Sequence, residues 1–182
     1  SLVRSYFAEL GIAGIDGDVV ARQLHQDPAN PVVAEIGARF PQAIGEDGRM
    51  IRGSLRTFFA QNPSANRELM AILRPHCLRA MHAWTAQQTS PYVIWETALL
   101  SEAAIAVDRV VVVDADAEAQ LARVQQRNAD WSPAQIAAVM ALQTGRAARL
   151  VLADDVIVNN GTPDGLRGQV VELHKQYLAL WG

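Results

Sequence analysis

Short, nearly unbroken β-branched runs constrain this chain more than any other feature. YVIWE at 92–96, RVVVV at 109–113 and DVIVN at 155–159 lack the apolar/polar alternation of a half-buried strand, and IAGID at 12–16 reads as a further short buried strand. Continuous runs of this sort are expected of strands covered on both faces by helices. Helical patterns lie between them. EAQLARVQQR (118–127) and PAQIAAVMALQTGRAARL (133–150) separate the last two strands, with Ser132-Pro133 as a helix start; Thr162-Pro163 opens a final helix ending near Trp181. Strand and helix in alternation mean right-handed crossovers, so the fold class is α/β, a parallel sheet flanked by helices.

The N-terminal half is richer in helix. Leu2, Val3, Tyr6, Phe7 and Leu10 share one helical face, and Gly11 stands where that helix would end. A second helix is expected from about Val19, and Pro31 suits the first turn of a third, with Val32, Val33, Ile36 and Phe40 on one face. Residues 46–49, EDGR, read as a turn. A helix-rich stretch from 54 to 88 follows, with breaks expected at Asn62-Pro63 and at Pro75.

Composition removes several function classes. A chain of 182 residues, half of them hydrophobic, can bury one real core. No apolar run approaches the length of a membrane span and no signal peptide opens the chain, so a cytoplasmic protein without membrane attachment is expected. A net charge of −3 argues against general nucleic-acid binding, which needs clustered Lys and Arg. The single Cys77 excludes an internal disulfide, and the spacing of His76, Cys77 and His82 matches no zinc pattern; a helix that happens to carry them is the simpler reading.

In an open parallel sheet, ligands meet the carboxyl ends of the strands. Here those ends are polar: Asp16 and Asp18 after the first run, Glu96 and Thr97 after the second, Asp114 and Asp116 after the third, Asn159-Asn160-Gly161 after the last. Each is also a common cap or turn former, and for Asp114, Asp116 and Asn160 that is the leading reading. Together they form an acidic rim that suits Mg²⁺ or a hydroxyl about to lose its proton, as in phosphoryl transfer. Arg123 and Arg127, four apart on one helix, and Arg146 and Arg149 on the next, supply cations that either bind phosphate oxygens or simply keep exposed helix faces soluble.

LGIAGIDGDVVARQL resembles the second-strand motif of dephospho-CoA kinases, roughly Leu-Gly-x-x-x-Ile-Asp-x-Asp-x-x-Ala-Arg. Further segments match in the same order: DGRMIRGSLRTFFAQNP, TSPYVIWETALLSEA, RVVVVDADAEAQLARVQQR and LADDVIVNNG. The resemblance spans essentially the whole chain. It implies a P-loop, nucleoside-monophosphate-kinase-like fold that moves the γ-phosphoryl of ATP, with Mg²⁺, to the ribose 3′-hydroxyl of dephospho-CoA, the last step of coenzyme A synthesis. It also implies one kinase domain: core 1–46, 89–116 and 151–182, a helical substrate-binding insertion at 47–88 and a helical-hairpin lid at 117–150. A monomer or weak oligomer is expected.

Residue by residue, the resemblance implies that Asp16 is the general base or orienting acid at the acceptor hydroxyl. Asp18 assists through Mg²⁺ or substrate contacts, and Arg22 is either a motif arginine at the substrate or a packing residue. Glu96, Leu99 and Leu100 fall on the acceptor side. Arg127 and Arg146 reach ATP phosphates, and Asn159 and Gly161 receive the adenine. The chain departs from the family pattern at Gly17, at Ala98 and at Arg74-Pro75, where His-Pro is usual, which leaves another nucleoside or nucleotide as an alternative acceptor.

A larger departure is that G-x-x-x-x-G-K followed by Ser or Thr occurs nowhere in the sequence. Aligning the first helix with the one after that loop sets Ser1 on the final Ser/Thr, either as the Mg²⁺ ligand or as a plain helix cap. The central first strand of such a sheet would then be absent, leaving two unpaired edges. Residues 1–182 alone are accordingly expected to show very low activity, either because a natural N-terminal piece precedes them or because the chain is a non-catalytic remnant that binds.

Overall fold

The computed structural model describes residues 1–51, 62–97, 105–127, 131–132, 136 and 145–182. Their elements, in order, are α1 (Leu2–Glu9), β1 (Ala13–Asp16), α2 (Gly17–Gln26), α3 (Pro31–Arg39), a 3-10 turn (Pro41–Ala43), α4 (Pro63–Thr85), β2 (Val93–Glu96), β3 (Val111–Asp114), α5 (Ala117–Arg127), α6 (Arg146–Val151), β4 (Asp155–Val158) and α7 (Pro163–Trp181). The chain forms two compact units, Gly11–Ala98 and Ser1–Leu10 with Leu99–Gly182. Parallel strands flanked by helices make up both, the α/β class the apolar runs predict. The strands pair as two two-stranded parallel ladders, β1 with β2 and β3 with β4.

In the unit Gly11–Ala98, β1 and β2 run in register from Ala13 opposite Val93 to Asp16 opposite Glu96. Gly11 adopts φ +81° ahead of β1, a left-handed conformation that ends the preceding helix at little steric cost. α3 starts as its sequence dictates, with Pro31 in the first turn and the Asn30 side chain accepting the Val32 N–H at 3.1 Å. Its apolar face joins α4 in a core of Val32, Val33, Ile36, Phe40, Ala43, Leu69 and Leu73. The expected turn at 46–49 is present: Gly48 takes φ +73°, and an antiparallel bridge pairs Ile44 with Met50.

The break expected at Pro75 does not occur. α4 is one helix of 23 residues that starts at Pro63 and passes through Pro75. A proline costs one helical hydrogen bond and crowds the preceding turn, but Leu69, Leu73, Cys77 and Met81 form a buried stripe at four-residue spacing on both sides of it. Burial of that stripe against α2 and α3 offsets the local cost. The far end of α4 is tied to β2 by Trp95, whose indole N–H donates to Thr85 Oγ1 at 2.9 Å.

In the other unit, β3 and β4 pair from Val111 opposite Asp155 to Asp114 opposite Val158. α7 packs on both β4 and α1, burying Leu166, Val170, Leu173 and Tyr177 from its own face and Val3, Tyr6 and Phe7 from α1. Coverage on both faces, expected of the β-branched runs, is not found in β4: Ile157 is buried, whereas Val156 and Val158 are each 46% exposed. α7 covers one face only. Gln169 reaches from α7 to the edge of β4, where its amide accepts the Val158 N–H and donates to the Val158 carbonyl, both at 2.8 Å, much as a neighbouring peptide would.

Asp155, at the opposite end of β4, accepts two hydrogen bonds from Arg109 at 2.8 and 3.2 Å and one from the Tyr177 hydroxyl at 2.6 Å. The Arg109 guanidinium holds the Asp155 carboxyl below the usual carboxylate range, outweighing the effect of burial. A depressed folded-state value contributes stability above the unfolded pKa of about 3.9, lost as pH falls through the lower folded value. Asp155→Asn is therefore expected to lower the melting temperature by several degrees at pH 7. In melts carried down to pH 2.5 the gap to the parent should close; a gap constant across that range would exclude the linkage.

Candidate functional site

Parallel pairing brings the carboxyl ends of β1 and β2 to the same side. Asp16 is the last residue of β1 and lies opposite Glu96, the last of β2. Its backbone is extended, at φ −111° and ψ 113°, and one carboxylate oxygen accepts the N–H groups of Asp18 at 3.0 Å and Val19 at 3.2 Å, so Asp16 is also the N-cap of α2. Asp18 in the first turn adds negative charge where the helix dipole favours it. Gly17 sits so close to the end of β2 that a Cβ there would meet Thr97 Oγ1 at 3.2 Å. Asp16, Asp18, Glu96 and Thr97 thus share one strand-end region, with Asp18 exposed and the others half-buried. Arg22 lies one turn further along α2 and is exposed.

Leu99 and Leu100 lie outside the described residues. His76, Cys77 and His82 diverge along α4: His76 Nε2 is 3.1 Å from Glu35 Oε1, the Cys77 side chain is buried, and His82 meets the Trp95 ring edge-on at 4.8 Å. Burial pushes the Cys77 thiol up, with Asp18 adding to the effect, so it is held as a neutral thiol rather than a nucleophile.

The second strand-end region belongs to β3 and β4. The Asn159 N–H donates to the Asp114 carbonyl at 2.7 Å. Asn160 then clasps Asp116, its Oδ1 accepting the Asp116 N–H at 2.8 Å and its Nδ2 donating to Oδ2 at 2.5 Å. Asn159, Asn160 and Gly161 form the short link from β4 to α7. Arg127 is the last residue of α5 and Arg146 the first of α6. Ser1 caps α1, accepting the Arg4 N–H at 3.4 Å.

One contact here was not anticipated. Asp114, read from sequence as a cap or turn former, instead binds Arg146 through both carboxylate oxygens: Nε donates to Oδ1 at 2.8 Å and Nη2 to Oδ2 at 2.5 Å. Asp116 lies 3.7 Å from the same Nη2. The Arg146 guanidinium holds the Asp114 carboxyl below its ordinary range, against the opposing effect of burial. The two residues are 32 apart in sequence, and the only available signal was a carboxylate ending an apolar run in a chain with arginines on the following helices.

Two strand ends rich in carboxylates, one with an arginine already fixed on it, can receive a hydroxyl and an anion. The family model described as dephospho-CoA kinase matches residues 1–164. The dephospho-CoA kinase of Escherichia coli strain K12 is 40% identical over 183 residues, covering 99% of this chain and 88% of its own length, and that of Salmonella typhimurium is 39% identical over the same coverage. Among solved structures, TT1252 from Thermus thermophilus superposes with a TM-score of 0.77 at 21% identity, covering 94% of this chain and 88% of that one. The dephospho-CoA kinase from Campylobacter jejuni does so with 0.56 at 17%, covering 97% and 90%. The structures share the fold, and the identity carried across almost the whole length settles the kinship: the chain belongs to the dephospho-CoA kinase family.

Proposed function

We infer that the chain is an ATP-dependent phosphotransferase that moves the γ-phosphoryl of ATP to the 3′-hydroxyl of dephospho-CoA, giving coenzyme A. The observation that carries this reading is 40% identity to a dephospho-CoA kinase over 99% of the chain. Asp16 accepts or orients the proton of the acceptor hydroxyl. One of its oxygens is already committed to the α2 N-terminus, which fixes the carboxylate on the strand end. Asp18, Arg22, Glu96, Leu99 and Leu100 serve the acceptor. Arg127 and Arg146 bind ATP phosphates and offset charge as the phosphoryl moves, and Asn159 and Gly161 take the adenine.

Mg²⁺ completes the proposal. Among the described residues no three His, Cys, Asp or Glu side chains come together as a metal cage. An ion that travels on nucleotide phosphates needs only one or two protein oxygens. The Ser1 hydroxyl, a hard oxygen that accepts the Arg4 N–H at 3.4 Å, is of the type such an ion takes as a ligand. When bound, Mg²⁺ would neutralise charge on the phosphate oxygens.

Among the described residues no helix is long and apolar enough to cross a membrane. With a net charge of −3, we propose a cytoplasmic enzyme that works as a monomer or weak oligomer without nucleic acid or membrane. Incubation with labelled Mg-ATP and a panel of acceptors, with mass spectrometry of the products, tests the substrate. Residues 1–182 should be run beside a form extended by a strand and a glycine-rich phosphate loop. Phosphorylated dephospho-CoA is expected, far ahead of adenosine; label on another nucleoside or nucleotide in preference, or on no acceptor with either form, would overturn the assignment.

A further inference from the structure

The pairing of Asp114 with Arg146 is lopsided in a way that an ordinary surface salt bridge is not. The carboxylate side chain is 6% exposed and the guanidinium 53%. An exposed pair contributes little to stability, and a buried carboxylate costs desolvation that only good geometry offsets. Asp114 is fixed at the end of β3, its carbonyl bonded to the Asn159 N–H. Arg146, by contrast, opens a helix of six residues preceded by Gly145, with no side-chain cap, so little in its own helix fixes its direction. Arg149 also faces the carboxylate electrostatically.

A guanidinium has five N–H donors in a planar fork. Asp114 takes the Nε–Nη2 edge, and Asp116 faces Nη2 as well. The two Nη1 donors have no partner among the described residues, and they lie on the exposed side chain rather than on the buried carboxylate. We propose that Asp114 is a positioning residue: it grips Arg146 by one edge so that the Nη1 donors are presented, pre-aimed, to a nucleotide phosphate oxygen. This rests on the reading of Arg146 as a phosphate ligand and deepens it by assigning the group that orients it. Asp114 touches no substrate; it acts only through Arg146.

Calorimetric titration with ATP and with adenosine of the chain extended by a strand and a glycine-rich phosphate loop tests this, because an arginine aimed at phosphate matters to one and not to the other. Asp114→Asn keeps the shape and one acceptor but loses the charge and the second oxygen. It should weaken ATP binding about tenfold or more and leave adenosine binding unchanged. In an Arg146→Ala background the same substitution should add nothing, since the two residues act as a unit. Arg146→Lys keeps a cation beside the buried carboxylate but loses the fork, and should lose ATP affinity as Asp114→Asn does. Equal losses for ATP and adenosine, an undiminished Asp114→Asn effect in the Arg146→Ala background, or parent-like ATP binding in Asp114→Asn would each overturn the positioning role alone. A parent that binds no ATP even in this extended form would overturn the kinase reading and this role with it.

Discussion

In the chain extended by a strand and a glycine-rich phosphate loop, Asp16→Asn is expected to lower turnover with dephospho-CoA by about 10²- to 10⁴-fold while the melting temperature stays close to the parent's. Asp16 has two tasks that this substitution separates. Its Oδ1 caps α2 by accepting the Asp18 and Val19 N–H groups, and Asn caps a helix about as well as Asp. Its negative charge and its capacity to accept a proton vanish in the amide, and those are what an acceptor hydroxyl requires. Asp16→Ala removes both tasks, so it should match Asp16→Asn in turnover and lose a further ~1 kcal/mol of stability with the cap. Initial-rate kinetics with each substrate, set beside thermal melts, checks the pair. If Asp16→Asn turns over like the parent, Asp16 is a helix cap and no more.

That double role explains why this part of the site was legible in the sequence. An aspartate ending a short apolar run and preceding a helical pattern is a local signal, and the local structure it predicts, a strand end that becomes a helix start, is what forms at residues 13–19. The strands were legible for a similar reason: β-branched runs bounded by polar residues became Val93–Glu96, Val111–Asp114 and Asp155–Val158, each within about two residues of expectation. What failed was whatever depended on distant partners. Pro75 is a breaker by any local rule, yet α4 continues because the stripe from Leu69 to Met81 is buried by helices far away in sequence. Val156 and Val158 look like interior residues until the position of α7, on one face only, is known. Asp114 reads as a turn former because its partner is 32 residues away, and nothing in the spacing says which arginine would come to it.

Ile36→Ala is expected to destabilise the unit Gly11–Ala98 by about 2–5 kcal/mol, and it asks whether the acceptor-side carboxylates depend on their own core. Ile36 is fully buried at 0% exposure among Val32, Val33, Phe40, Ala43, Leu69 and Leu73, with Leu24 of α2 packed against the same cluster. Truncation removes apolar atoms from water-free surroundings and leaves a cavity that the three helices around it cannot fully close. Ile36→Val, which removes a single methylene, should cost about 0.5–1.5 kcal/mol, so the two variants give a graded series. At about 2–4 °C per kcal/mol for a chain of this size, the larger change is a shift of roughly 5–15 °C in a melt. Because Asp16 is set by the β1 register and by its own cap on α2, rather than by contact with Ile36, turnover per folded molecule measured well below the melting transition should stay near the parent's. A fall in turnover that tracks the loss of stability across the series would mean instead that packing of α2, α3 and α4 is what holds the carboxylate in place.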